Sequence, residues 1–337
     1  MRRGRRNQEC GGALLAVLWL SVAMSVIAFS VANTVRGEIE RASTALDSTR
    51  AYFLATGAIE RALLWIQWGP GVKNPDGTPR FWDPSVPVRR MYFPSGEVVV
   101  EAIPEGSRLN INQAAPEEIL RLLLALGVAA DRAQEITAAI LDWRSPVPPG
   151  VLSGFDQFYL SLTPSFRARH ASFQETEELL FVKGMTPEIY HGSYGWDTEG
   201  RLVSRGALKN CVSVFGSTSA FEINTVEPAL MAAIGLNPEA IRLVTEMRRQ
   251  GPIRTPEQLA MIAQVGGPPA QRLRIGWAQT FTLRATARVR QADGRLSDLR
   301  RTVAATIRMT TDYKEDILPY RVLRWHDSVW VDDGGVR

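Results

Sequence analysis

An uncharged and mostly apolar run, from Cys10 to Val35, constrains the fold of this 337-residue chain more than any other feature. Four arginines precede the run, and the first charge after it is Arg36. About 22 to 24 apolar positions at 1.5 Å per residue span the hydrocarbon core of a membrane, which is about 30 Å thick. Arginines before such a segment are typical of an N-terminus that stays in the cytoplasm. The run therefore predicts one transmembrane helix over residues 12–35.

The helical pattern continues beyond the apolar run. No proline occurs from Arg36 to Trp68, and apolar residues recur near helical spacing: Ile39, Ala42, Leu46, Phe53, Ile59, Leu63 and Ile66. Gly69-Pro70-Gly71 then ends the pattern. We expect one continuous helix on the order of 80 Å long, with half of it in lipid and half packed on a domain.

Two simpler interpretations of this start remain open. It could be a cleavable secretory signal, since Ser30-Val31-Ala32 offers small residues of the kind that signal peptidase cuts after. It could also be an ordinary uncleaved signal anchor. The length of the apolar run and the uninterrupted helical pattern after it argue against the cleavable signal.

The leader resembles that of type IV prepilin-like proteins: a short basic segment, Gly11-Gly12, then the apolar residues 13–20. The resemblance implies a cut after Gly11, or alternatively after Gly12, and a new and methylated N-terminus at Gly12. Most members carry glutamate at the fifth mature position, which is Ala16 here, or Val17 in the other register. In lacking this glutamate, the chain resembles one branch of these proteins, the K-type minor pseudopilins of type II secretion.

The middle of the chain contains an internal repeat. Leu109-Asn110-Ile111-Asn112-Gln113-Ala114-Ala115-Pro116 matches Phe221-Glu222-Ile223-Asn224-Thr225-Val226-Glu227-Pro228. We predict that Asn112 and Asn224 cap helices whose first turn holds proline. A second element, Thr176-Glu177-Glu178-Leu179-Leu180, matches Thr255-Pro256-Glu257-Gln258-Leu259. Residues 107–278 are therefore predicted to be two copies of an all-helical unit, at 109–190 and 221–275, with a Pro-rich loop in the first.

These units resemble helix-hairpin-helix (SAM-like) modules, many of which bind DNA. Charge does not favour that function, because residues 107–278 hold 16 basic and 17 acidic side chains, and Lys183 is the only lysine beside a hairpin. The first eleven residues carry most of the net charge of +4, which leaves 35 basic and 34 acidic residues after them. Two helical repeats inserted after an early strand are what the K pseudopilins carry, and Ile140-Leu141-Asp142-Trp143-Arg144 and Val182-Lys183-Gly184-Met185-Thr186 are close to their pattern.

Three segments predict a small antiparallel sheet. Residues 96–103 are a β-branched strand, 280–290 and 301–309 alternate around the turn Asp293-Gly294, and 320–325 can add a last strand. We expect residues 69–94 to be loop. The predicted fold is α+β and pilin-like: leader 1–11, transmembrane helix 12–35, and a discontinuous α/β domain (36–106 and 279–330) split by the all-helical insert 107–278.

The sequence offers no arrangement of a nucleophile and a base, and no phosphate-binding loop, so we predict no enzyme and no required cofactor. Structural Ca²⁺ is possible, with ligands that the sequence does not assign. Cys211 is expected to be a buried apolar residue rather than a reactive thiol.

The resemblance implies a subunit at the tip of the type II secretion pseudopilus, which exports folded periplasmic proteins. Its implied partners are the minor pseudopilins I and J, other pseudopilins, the prepilin peptidase and the inner-membrane secretion platform. It implies an inner-membrane protein with a cytoplasmic N-terminus and a periplasmic bulk. Two alternatives remain: a membrane-anchored helix-hairpin-helix DNA receptor of competence type, and a periplasmic scaffold with an uncleaved anchor.

Overall fold

A computed structural model describes residues 9–69, 71–77, 80–82, 86–196, 202–276, 279–310 and 319–329. The leader arginines and the predicted C-terminal limit at residue 330 lie outside the described residues. One helix, α1 (Glu9–Trp68), accounts for 60 residues. It is the one helix among the described residues that is long and apolar enough to cross a membrane, judged by length and composition. The predicted continuous helix is therefore present.

Only the last third of α1 packs on the rest of the chain. Its buried residues recur every three or four positions, which places them on one helical face: Ala51, Leu54, Ala55, Ala58, Ile59, Ala62 and Leu63. Small alanines on this face let the helix lie close to a sheet. The expectation that Ile39, Leu46 and Phe53 also pack on the domain is wrong, because their side chains are 63%, 51% and 66% exposed.

The buried face of α1 lies on a five-stranded antiparallel sheet with the order β1-β2-β9-β10-β11. Its strands are β1 (Val88–Phe93), β2 (Gly96–Pro104), β9 (Thr280–Val289), β10 (Arg301–Met309) and β11 (Tyr320–His326). Alternate residues of the central strands, such as Val98, Leu283 and Val303, are fully buried against the helix. The predicted α+β class, with a long helix and an antiparallel sheet, is confirmed.

Strand β1 corrects the sequence analysis, which assigned residues 69–94 to loop. Val88 pairs with Glu101 and Phe93 with Gly96, so β1 and β2 form a hairpin. A side chain at Gly96 would overlap the carbonyl oxygen of Arg288 on β9, so only glycine fits at this turn. The sequence analysis missed this strand because it contains two adjacent charged residues, Arg89 and Arg90. Charged residues are unusual in strands except at the edge of a sheet, where β1 lies.

Helices dominate residues 109–274, which we call the helical region. They are α2 (Pro116–Ala125), α3 (Ala130–Arg144), α4 (Asp156–Ser161), α5 (Pro187–His191), α6 (Leu208–Cys211), α7 (Pro228–Ala233), α8 (Pro238–Gln250) and α9 (Pro256–Gly266). Three short strand pairs accompany them: β3 (Leu109–Asn110) with β6 (Val212–Ser213), β4 (Ser193–Trp196) with β5 (Leu202–Arg205), and β7 (Phe221–Glu222) with β8 (Leu273–Arg274). The core of this region is a cluster separate from the core under the sheet.

The helical region lies at the end of the sheet that is farther from the apolar half of α1. The chain leaves the sheet at Pro104 and returns beside it, since Pro104 pairs with Phe281. Tyr320, at the same end, donates to Glu60 of α1, whereas Asp327 at the other end accepts from Tyr52. Along α1, therefore, the apolar half comes first, the sheet packs beside the last third of the helix, and the helical region lies at the far end of the sheet.

Candidate functional site

Three hydroxyl groups in the apolar half of α1 donate hydrogen bonds within the helix. Ser21 donates to the carbonyl oxygen of Leu18 at 2.9 Å, Ser25 to that of Ser21 at 2.8 Å, and Thr34 to that of Ser30 at 3.0 Å. In lipid a polar group without a partner is costly, and these bonds within the helix remove that cost. This half of α1 can therefore enter a bilayer.

The predicted processing residues all lie in this half. Gly11, Gly12 and Ala16 are within the first turns of α1, and Ala16 is exposed. No described side chain pairs with position 16, and alanine offers no group that could pair. The structure gives these residues a place in the helix, and their roles in processing stay predictions.

The middle of α1 carries an apolar stripe, which we define as Ile39, Leu46 and Phe53. Seven residues are two helical turns within about 20°, so these three side chains share one face. That face is opposite the buried face, since Phe53 is two residues, or about 200°, from Ala51. The helix therefore packs on its own sheet with one face and presents apolar side chains on the other.

The repeated asparagines lie in the helical region and do not cap helices, which corrects the sequence analysis. The N-cap of α2 is Ala115 and that of α7 is Glu227. Asn112 instead accepts from the main-chain N of Phe173 at 2.7 Å and donates to the carbonyl oxygen of the same residue at 3.0 Å. Asn224 makes the same pair of bonds to Ile253, at 2.7 and 3.0 Å. Each side-chain amide thus bonds to both the N–H and the carbonyl group of one distant residue, as a neighbouring strand would, and holds that residue's segment in place.

Two further pairs of residues have equivalent bonds around these asparagines. Arg144 at the end of α3 donates to the carbonyl oxygen of Ile111 at 2.6 Å, and Arg248 near the end of α8 donates to that of Ile223 at 2.8 Å. Burial lowers the pKa of both arginines.

The second pair is Glu178, in the 3-10 helix Thr176–Phe181, and Gln258, in α9. The side chain of each accepts hydrogen bonds from the two main-chain N–H groups just before its helix. The matching sequence motifs thus make matching hydrogen bonds.

Glu105 joins the helical region to the sheet, and the sequence analysis missed it. Its side chain is 4% exposed. One carboxylate oxygen accepts from Thr282 of β9 at 2.6 Å, and the other accepts from Ser213 of β6. Arg324 of β11 adds a second connection, donating to the carbonyl oxygen of Gln174 at 2.7 Å. A single polar residue at the start of a one-turn 3-10 helix (Glu105–Ser107) gives no periodic signal in the sequence, so only the structure reveals this contact.

The hairpin lysine, Lys183, is paired with a carboxylate. Lys183 Nζ lies 3.0 Å from Glu135 Oε1 and above the rings of Phe155 and Phe158. An ion pair of this kind lowers the attraction of a lysine for nucleic acid, because the neighbouring carboxylate offsets its charge.

Asp142, in the segment 140–144 that resembles the K pseudopilins, lies in a polar cluster with Ser153, Asp156 and His170. Ser153 donates to Asp142 Oδ2 at 2.8 Å, and His170 contacts Asp156, whose side chain is 2% exposed. Among the described ranges no group of three or more His, Cys, Asp or Glu side chains could hold a metal ion.

Cys211 is buried in the core of the helical region. Burial raises the pKa of its thiol to about 12, so the thiolate is scarce at neutral pH. Cys211 therefore contributes to the packing of this core.

Comparison with known proteins identifies relatives of this chain. Residues 100–192 match the family described as type II secretion system (T2SS), protein K. The chain is 26% identical over 245 residues to the type II secretion system protein K of Klebsiella pneumoniae, which covers 68% of this chain and 71% of that protein. It is 24% identical over 313 residues to the protein of the same name in Pectobacterium carotovorum subsp. carotovorum, covering 86% and 91%.

A solved structure has a similar fold. It is the GspK-GspI-GspJ complex from the enterotoxigenic Escherichia coli type 2 secretion system, with a TM-score of 0.56 and 18% identity, covering 85% of this chain and 98% of the matched chain. The resemblance to the K proteins of type II secretion, found in the sequence, is thereby confirmed.

Proposed function

We propose that this chain, a relative of the K proteins of type II secretion, works as a minor pseudopilin that joins the I and J minor pseudopilins at the tip of the pseudopilus. The tip complex would initiate or cap the filament that exports folded periplasmic proteins. A structural and not a catalytic role agrees with the described side chains, which serve packing and internal hydrogen bonds.

The observation that carries this proposal is the apolar stripe of α1. Ile39, Leu46 and Phe53 are exposed apolar side chains at a spacing of seven residues, the spacing of helix-to-helix seams. The stripe continues the helix that enters the membrane, so a neighbour that leaves the same membrane beside it meets the stripe directly. Assembly through helices explains why α1 is far longer than its own sheet requires.

Membrane orientation and processing follow the same proposal. The basic leader keeps the N-terminus cytoplasmic, the residues after Val35 lie in the periplasm, and the inner-membrane platform receives the subunit. The prepilin peptidase cuts after Gly11, and Gly12 becomes the methylated N-terminus. Gly12 begins the exposed, uncharged part of α1, where a peptidase can reach it.

The tip position is supported by two features. The helical region lies beyond the sheet, at the end away from the membrane, where its bulk would obstruct another subunit stacking above. Ala16 has no carboxylate to pair with the N-terminal ammonium of a neighbour, which suits a subunit that has no neighbour on that side. We further propose that the helical region is an insert of two repeated units, because Asn112 and Asn224 make matching bonds.

Substitutions in the apolar stripe test the function. Full-length chains with Ile39→Asp or Phe53→Asp are co-expressed with tagged I and J and recovered in detergent. A carboxylate buried in an apolar seam costs several kcal/mol, so we expect recovery to fall about tenfold or more. Thr44→Asp is the control, because Thr44 is exposed on the opposite face of α1. Unchanged recovery for both stripe variants would contradict the proposal.

A further inference from the structure

Three arginines near the C-terminal end of α1 and the edge strand β1 lie over aromatic rings. We call them the arginine stack: Arg61 over Phe93, Arg89 over Trp65, and Arg80 over Phe81. The guanidinium carbons of Arg61 and Arg89 are 4.1 and 4.6 Å from the centres of these rings, which is the distance of a cation–π contact. Arg61 also lies 5.9 Å from the centre of the Trp65 ring. One indole ring is therefore flanked by two cations.

Hydrogen bonds and ring packing fix the position of the stack. Arg89 Nη1 donates to the carbonyl oxygen of Phe81 at 2.7 Å. Trp82, which is fully buried, donates from Nε1 to the carbonyl oxygen of Val86 at 2.9 Å. The ring of Trp68 packs on that of Phe81, with 4.8 Å between the ring centres. A guanidinium already held on a ring loses little further side-chain freedom when it binds an anion.

The charges of the stack are not neutralised by the described part of the chain, where none of its three arginines forms a salt bridge. The neighbouring acids are engaged elsewhere: Glu97 pairs with Arg90 at 3.7 Å, and Glu60 accepts from Tyr320 at the opposite edge of the sheet. Two cations beside the ring of Trp65 repel each other, and a bound anion would remove that repulsion. The stack thus has the charge and the donors of an oxyanion site.

The position of the stack selects among anions. From Val35 to Arg61 the helix rises about 40 Å, whereas the headgroup layer of a bilayer is only about 5–8 Å thick. Lipid phosphates of the membrane that holds α1 are therefore out of reach. Tryptophan and arginine are enriched where proteins bind one another, and Trp68, which completes the stack, is 51% exposed. This composition favours a protein ligand over a free ion.

We propose that the arginine stack binds aspartate or glutamate side chains of a partner protein, with Arg61 and Arg89 as the main donors. A planar guanidinium matches a carboxylate through two parallel N–H bonds, and the ring beneath keeps the plane in place. The partner surface would also cover Trp68. The inference does not depend on the tip position proposed above, because it follows from the chemistry of the stack alone.

A labelled hexaglutamate peptide is the probe, and its binding to the full-length protein in detergent is measured by fluorescence anisotropy at low salt. The double variant Arg61→Gln/Arg89→Gln is expected to bind at least about fivefold more weakly. Arg61→Lys/Arg89→Lys keeps both charges but loses the planar donors, and we expect a loss of similar size. Arg121→Gln/Arg242→Gln, at two exposed positions of the helical region, removes the same charge and is expected to leave affinity within about twofold.

Three results would overturn the inference. Equal losses for the stack pair and the control pair would show that the peptide responds to overall charge. Full affinity of the lysine pair would show that planar donors on rings are not needed. Displacement of the peptide by inorganic phosphate, but not by sodium chloride at equal ionic strength, would make the stack a site for a free anion. Where the glutamine pair lowers the Tm, Arg61→Gln alone replaces it, with an expected loss of about threefold.

Discussion

The imidazole of His170 and the carboxylate of Asp156 form an ion pair inside the helical region, with Nε2 3.0 Å from Oδ1. The other ring nitrogen, Nδ1, lies 3.2 Å from the carbonyl oxygen of Asp142. Only the doubly protonated imidazolium satisfies two acceptors at once. The pair fastens the Pro-rich loop after α3 to the end of that helix.

Stability should therefore depend on pH through His170. Burial disfavours the imidazolium, but the hydrogen bonds to Asp156 and to the carbonyl oxygen of Asp142 outweigh the effect of burial and raise the pKa of His170. The charge of the nearby Arg167 acts on Asp156, whose pKa it helps to lower. The stabilisation is complete below the unfolded pKa of about 6.5 and is lost as the pH rises through the higher folded pKa. We expect the Tm difference between wild type and His170→Gln to shrink from pH 6 to pH 9. A difference that stays constant over this pH range would contradict this.

Removal of the Asn112 amide should destabilise the helical region. Asn112→Ala leaves the main chain of Phe173 without both partners, and we expect a loss of about 1–3 kcal/mol in the free energy of unfolding. Hydrogen exchange should show lost protection at the Phe173 N–H and not at the first turn of α2. Gln113→Ala, next to it and exposed, is the control and should change stability by less than about 0.5 kcal/mol.

Leader processing should depend on Gly11. Gly11→Asp is expected to leave the leader attached, because the resemblance to prepilins places the cut directly after this glycine. Mass spectrometry of the mature N-terminus is the measurement, with Gly37→Asp as a control outside the leader. A mature chain that starts near Asn33 would instead show a secretory signal peptide and remove the pseudopilin interpretation.

Restoring a glutamate at position 16 should not improve secretion. Ala16→Glu places a carboxylate in the membrane segment without an assigned partner, which costs several kcal/mol unless the group is protonated. We expect equal or lower secretion, and Ala16→Gln separates the effect of charge from that of size. Higher secretion, or labelled protein found all along the filament, would make the chain a shaft subunit.

Duplex DNA should bind weakly. With nearly equal numbers of basic and acidic residues in the helical region, we expect a Kd of roughly 10⁻⁴ M or poorer at physiological salt. Fluorescence anisotropy over a salt series is the test. A micromolar Kd that is sensitive to salt and is weakened by Lys183→Glu would support the DNA-receptor alternative.

The sequence determined the parts of this protein whose physics is local. An uncharged run of membrane length, and a helical pattern without proline, are sufficient for α1 because each helical hydrogen bond joins residues four apart. Alternation was sufficient for β9 and β10, since every second side chain meets the same core. The motif around Asn112 and Asn224 was likewise visible, because a repeat is a property of the sequence alone.

Only the tertiary structure decided what distant residues do. The asparagines suit a helix cap by local rules, yet Asn112 binds Phe173, 61 residues later, because the fold brings an unpaired main-chain segment beside it. Glu105 became a buried junction through Thr282 and Ser213, which no spacing predicts. The two faces of α1 look alike in the sequence, and the position of the sheet decided which one is covered and which one stays exposed.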